Sequence, residues 1–145
     1  MIALIQRVHE ASVEVDKEQI SCIGAGLLAL IGIEREDDET QCSQILDKLS
    51  HYRVFEDEQG RMNRSLLEMG GELLLVSQFT LVADTRKGTR PGFSKAAAPE
   101  TARPLFDQLV ELARSRLPVV ETGKFGADMQ VRLINDGPVT FWLQV

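Results

Sequence analysis

Residues whose types could do chemistry gather in three places. The first is Ser77-Gln78-Phe79-Thr80-Leu81, where three hydrogen-bonding side chains fall within four positions of an otherwise apolar run. Strand alternation puts Gln78 and Thr80 on one face with Leu74 and Val76, and Ser77 and Phe79 on the other. By residue type alone the plainer reading is the better one: a strand leaving the core, its hydroxyls bonded to the backbone. The functional reading is a strand end that supplies hydroxyls and main-chain N–H donors to a pocket. The second place follows directly. Thr85 to Pro99 carries Arg86, Lys87, Arg90 and Lys95 without an acid, on a chain of net charge −6. That window is a candidate anion site, with a solvated basic loop as the bland alternative. The third is Gly137-Pro138-Val139-Thr140, which reads as a plain hairpin turn. X–Pro bonds are cis in only about 5–6% of folded cases, so spacing says nothing of its isomer.

Other engines are missing. No H-E-x-x-H, cysteine cluster or carboxylate–histidine grouping suggests a metal, and no cofactor is expected. Gly24, Gly26 and Ala29 match G-x-G-x-x-A nominally. The β-like run Leu27 to Ile33 follows them where a dinucleotide site needs a helix, so a turn between strands is the better reading. His9 lies near a strand end and His51 near a helix end. Neither accompanies a serine in a G-x-S-x-G elbow, and a lone histidine is more often structural or solvated than a general base.

The elements that must position these groups fit one domain spanning 1–145. With 43% apolar and 26% charged residues, the 145-residue chain is neither disordered, fibrous nor disulfide-built. An excess of acids, 22 against 16 basic residues, argues against non-specific coating of nucleic acid. No run approaches the roughly 20 apolar residues of a membrane span, and the first residues read as a strand rather than a secretory leader. Cys22 and Cys42 read as free thiols of a reducing cytoplasm.

Ile2 to His9 alternates, with Ile2, Leu4 and Val8 against Ala3, Ile5 and Arg7. Ala11 to Asp16 alternates again, and Ile20 to Ile23 and Leu27 to Ile33 follow as strands. Asp38 with Gln41 forms a capping signature before a helix whose stripe is Cys42, Ile45, Leu46 and Leu49. Arg53 to Phe55 is a short strand, and Glu72 to Val82 is the strongest strand of the chain. Thr101 to Leu117 reads as a helix, with Pro104 acceptable only in its first turn. Val119 to Glu121 reads as a strand. The C-terminus reads as a hairpin, Met129 to Ile134 with Val139 to Val145 across Asn135-Asp136-Gly137-Pro138. Two main helices among many strands, without steady βαβ alternation, predict an α+β domain on a mixed, mainly antiparallel sheet.

Taken in order, the motifs resemble the D-aminoacyl-tRNA deacylase family end to end. They are Gln6-Arg7-Val8 with Ala11-Ser12-Val13, Ser77 to Leu81, Ala83 to Gly88, Phe125 to Met129, and Asn135 to Thr140. The resemblance implies that family's α+β fold and a homodimeric, cytoplasmic hydrolase of translational proofreading, without cofactor, metal or membrane. Its partner is aminoacylated tRNA, from which it removes D-amino acids and mischarged glycine. Ser77, Gln78, Phe79 and Thr80 are then the catalytic segment, with Met129 and Thr140 lining the substrate pocket. Gly137-Pro138, cis in the family and held by Arg7, inserts into the partner subunit's pocket and excludes L-side chains. An unassisted threonine is a poor nucleophile, so main-chain N–H groups near Phe79 and Thr80, with help from the substrate's 2′-hydroxyl, are preferred to a covalent Thr80 intermediate. Arg86, Lys87, Arg90 and Lys95 fall where they could meet acceptor-stem phosphates. A non-catalytic tRNA-binding module, or a related deacylase clearing an L-amino acid, are the alternatives.

Overall fold

The computed structural model describes residues 1–145. The expected α+β domain is formed. A six-stranded mixed sheet runs β2 (Glu18–Ile23), β1 (Ile2–Val15), β3 (Gly26–Gly32), β6 (Glu72–Ser77), β7 (Val120–Thr122), with β8 (Gln130–Gln144) on the other edge of β1. β1 pairs antiparallel with β2, β3 and β8, while β6 runs parallel to both β3 and β7. A two-stranded ribbon, β4 (Phe55–Glu56) with β5 (Met62–Arg64), stands apart. The helices are α1 (Glu39–His51), the single turn α2 (Leu66–Met69) and α3 (Pro99–Arg116). No helix is long and apolar enough to cross a membrane.

Local chemistry explains the helices. At α1 the Asp38 carboxylate accepts from Thr40 N–H at 2.6 Å, and Gln41 Oε1 accepts from Asp38 N–H at 2.9 Å. This reciprocal cap satisfies donors that would otherwise be orphaned, and Cys42, Ile45, Leu46 and Leu49 form the expected buried stripe. A second capping box, Ser65 with Glu68, starts α2, an element too short for periodicity to announce. Pro104 lies in the second turn of α3, not the first as its type requires for free. The carbonyl it deprives belongs to exposed Glu100, where water can take over.

α1 and α3 cover one sheet face, burying Ala3, Ile5, Leu27, Ala29, Ile31, Leu73 and Leu75. Arg7 follows Ala3 and Ile5 on this face by the period of two, as the alternation predicts. The opposite face buries Val8, Val13, Leu28, Leu74 and Val76, with Met129, Val131 and Leu133 packed against them. Gly26 permits close strand approach, since a Cβ there would sit 1.9 Å from the Glu72 carbonyl oxygen.

Two expectations change. The strand expected over Glu72 to Val82 ends at Ser77, and Phe79–Val82 forms a 3₁₀ turn. The turn folds buried Val82 onto Gly32, whose absent Cβ leaves the room it needs. The C-terminal turn is present, closed by Val139 N–H on Asn135 Oδ1 at 2.8 Å, but its two arms do not pair with each other. Both add to β1, Gln130–Asn135 opposite Glu14–Val8 and Thr140–Gln144 opposite Gln6–Ile2. The long free edge of β1 offers both arms a ladder at once, and the turn is left as an excursion opposite Arg7.

Candidate functional site

The Ser77–Thr80 segment sits where β6 leaves the sheet. Gln78 N–H still bonds to Ile31 O at 2.7 Å, prolonging the β3 ladder, and the backbone then turns at Gln78 (φ −143°, ψ 84°). Within the turn the first internal bond is Leu81 N–H to Gln78 O, at 3.3 Å. The Phe79 and Thr80 N–H groups precede that bond, and no side chain caps them. Gln78 Nε2 donates to Thr80 Oγ1 at 2.6 Å. No ionisable side chain bonds to any of the four residues. Ser77 and Gln78 are half-buried, whereas Phe79 and Thr80 are exposed. Met129 packs on Gly123, whose Cβ would meet its sulfur at 2.7 Å, and on the cluster containing Val76, the residue before Ser77.

The basic window follows as a loop tied at its foot, Asp84 N–H to Gly92 O at 2.7 Å and Gly92 N–H to Asp84 O at 3.0 Å. The tie brings Phe93 against Phe79, ring centroids 5.1 Å apart. Arg86, Lys87, Arg90 and Lys95 are all exposed. Asp84, one residue outside the window, qualifies its charge: both carboxylate oxygens bond the Arg86 guanidinium, which holds the carboxyl far below its ordinary range. Lys87, Arg90 and Lys95 carry no ion pair.

Arg7, Gly137, Pro138 and Thr140 form a second group on β1 and β8, joined to the first by no hydrogen bond. The Gly137–Pro138 peptide bond is cis, and both residues are exposed at the excursion's tip. Thr140 Oγ1 accepts from Gln6 Nε2 at 3.3 Å and from Asn135 Nδ2 at 3.1 Å, so it braces the tip's foot. Arg7, 6% exposed, donates to Val54 O at 2.6 Å. Its Nε lies 2.9 Å from Asp136 Oδ2, an ionic contact without hydrogen-bond alignment. A cleft of about 490 Å³ opens behind the tip, lined by Arg7, His9, Phe55, Glu56, Glu72 and Asp136. Phe93 and Asp136 escaped sequence reasoning; one carries no motif, and the other looked like an ordinary turn former. No set of three His, Cys, Asp or Glu side chains is placed to hold a metal ion.

Uncapped main-chain donors on an open strand end, beside a cationic loop, are an arrangement that can polarise a carbonyl on an anionic substrate. Comparison with known proteins gives the class from the whole chain. The sequence model described as D-Tyr-tRNA(Tyr) deacylase matches residues 4–144. A D-aminoacyl-tRNA deacylase of Vibrio cholerae is 58% identical over 144 residues, 99% of each chain. One of Ectopseudomonas mendocina is 60% identical over the whole of both chains. Among solved structures, one described as c-Myc DNA Unwinding Element Binding Protein superposes with a TM-score of 0.95 at 42% identity, covering 100% of this chain and 99% of that one. A probable eukaryotic D-amino acid tRNA deacylase shares the fold, with a TM-score of 0.89 at 17% identity over 99% and 98% of the two chains. The chain belongs to the D-Tyr-tRNA(Tyr) deacylase family.

Proposed function

We propose that this protein hydrolyses the ester between a D-amino acid and the terminal ribose of tRNA, and that it clears glycine in the same way. The observation that carries the reading is the pair of uncapped N–H groups on Phe79 and Thr80. They suit the oxyanion that forms when water attacks the ester carbonyl. The tetrahedral intermediate then collapses with the ribose oxygen as leaving group, and the substrate's own 2′-hydroxyl assists the proton transfer. Thr80 positions the substrate, because its hydroxyl meets an amide and no base. Ser77, Gln78 and Met129 shape the pocket wall. The free cations of the loop, Lys87, Arg90 and Lys95, with Arg86 at its foot, take acceptor-stem phosphates, setting register without reading sequence.

Selectivity in this reading is steric and needs a second copy of the chain. Gly137-Pro138 enters the partner's pocket, rejects L-side chains, and lets glycine pass because it has nothing to exclude. Supporting a dimer, half-exposed Trp142 pairs across the strands with Leu4 beside an open sheet edge. A tRNA substrate places the work in the cytoplasm. The test is hydrolysis of matched D-Tyr-tRNA and L-Tyr-tRNA, with the mass in solution measured by light scattering. Release from the D-ester alone by a dimer supports the reading, and equal release from both esters removes the filter. Release from the L-ester alone favours the related L-clearing deacylase. Absence of turnover with retained nucleic-acid binding favours the binding module, which the solved relative named for binding DNA keeps in play.

A further inference from the structure

We propose that Asp136 is a positioning residue for chiral selectivity, gripped by Arg7 and His9, so that the Gly137–Pro138 tip keeps the placement on which exclusion depends. The inference rests on the reading of that tip as the filter. Gly137 and Pro138 are exposed at the tip of the turn. A steric filter must hold its position to within about 0.5 Å, so its flanks must supply the rigidity.

Asn135 does this by tying the two arms together through Val139 N–H and Thr140 Oγ1. Next to it the Asp136 carboxylate reaches down to β1. One oxygen lies 2.9 Å from Arg7 Nε, the second 3.3 Å from His9 Nε2. β1 is built for this grip. Arg7 and His9 are two residues apart and share a strand face. The ladder is irregular here, with Val8 opposite Asn135 but Glu10 opposite Ile134, so His9 is the extra residue of a bulge. Bulges re-aim side chains, and this one brings His9 to Asp136. Arg7 is itself immobilised by Val54 O, with Glu56 3.8 Å from its Nη2. A Cβ on Gly137 would lie 3.1 Å from Arg7 Nη2, so the tip rests directly on the clamped guanidinium. The clamp thus transmits the rigidity of the helix-covered core to an otherwise bare turn. His9, 65% exposed, has no packing reason to be there.

The experiment measures kcat/KM for D-Tyr-tRNA and L-Tyr-tRNA with wild type, His9→Ala, Asp136→Asn, the double variant and Gly137→Ala, alongside thermal melting of each. Asp136→Asn keeps the shape and removes the charge; the L-to-D ratio is expected to rise about tenfold. His9→Ala is expected to raise it about threefold, and the double variant no further than Asp136→Asn, because both act through one carboxylate. An unchanged ratio in Asp136→Asn, while Gly137→Ala raises it, overturns the clamp and spares the filter. An unchanged ratio in Gly137→Ala overturns the filter itself. Should Asp136→Asn fail to fold, His9→Ala decides alone, an unchanged ratio counting against the clamp.

Discussion

Replacing Thr80 by alanine separates two ways of breaking an aminoacyl ester by their magnitudes. The Thr80 hydroxyl has one hydrogen bond, from Gln78 Nε2 at 2.6 Å, on an exposed residue where water can replace it. Losing such a bond costs about 1 kcal/mol, or about fivefold in rate. If Thr80 were the nucleophile, its removal would cost orders of magnitude more; loss of the nucleophile in a triad hydrolase costs about 10⁶-fold. The complementary perturbation removes the main-chain donor instead, by replacing residue 80 with its α-hydroxy analogue so that the N–H becomes an ester oxygen. Loss of one oxyanion donor costs about 10²–10³-fold in kcat. The assay is single-turnover release of D-[³H]tyrosine from charged tRNA by enzyme in saturating excess, which reads the chemical step without product release. The expected order is Thr80→Ala close to wild type and the backbone ester far below it. A folded Thr80→Ala protein slowed by more than 10⁴-fold, or a backbone ester with unimpaired kcat, would refute the reasoning.

Other consequences follow from the same geometry. Lys87→Glu and Arg90→Glu should each raise KM for charged tRNA and reduce the slope of log K against log salt by about one or more; hydrolysis of a small aminoacyl ester should be untouched, and equal losses on both substrates would contradict the phosphate role. Asp84 anchors the loop as a carboxylate whose pKa is depressed first by the Arg86 side-chain hydrogen bonds and then by the Arg86 main chain. A depressed folded pKa gives a contribution that is complete above the ordinary value of about 4 and fades only as the pH falls below it. Tryptic nicking of the loop, divided at each pH by the rate of trypsin on a small peptide substrate, should therefore be constant from pH 8 to pH 5 in wild type and faster throughout in Asp84→Asn. Cys42 is pushed up to about 11 by burial first and then by the nearby Asp37, Glu39 and Asp38 charges, whereas Cys22 is exposed. Alkylation at pH 8 should modify Cys22 alone in the native protein and both thiols in denaturant, counted by mass spectrometry. Gly26→Ala must push β3 from β6, because no side chain gives way at a 1.9 Å approach to backbone; a loss of about 3 kcal/mol or more in urea unfolding is expected, and a wild-type midpoint would contradict the packing.

Local signals carried far in this chain. The Asp38–Gln41 cap, the Cys42–Leu49 stripe and the two faces of Ile2 to Val8 act within a turn or a strand period, and the structure reproduces each. The motifs around Ser77 and Gly137 sufficed to name a family, and their expected segments stand at a strand end and an exposed turn. What the sequence could not state is what meets what across the chain. β6 stops at Ser77 because Val82 finds room over Gly32, and β8 remains one strand because β1 offers both of its arms a single long edge. Asp84 neutralises an arginine that looked free, and Phe93 becomes the neighbour of Phe79 only once Gly92 is tied to Asp84. Arg7 is an ordinary cation in an alternating strand until the fold buries it under Val54 and brings Asp136 to it from the opposite end of the chain. Periodicity and capping are settled by neighbours a few residues apart, so sequence alone determines them. Pairing partners, burial of charge and the shape of a site depend on contacts between distant segments, and only tertiary packing decides those.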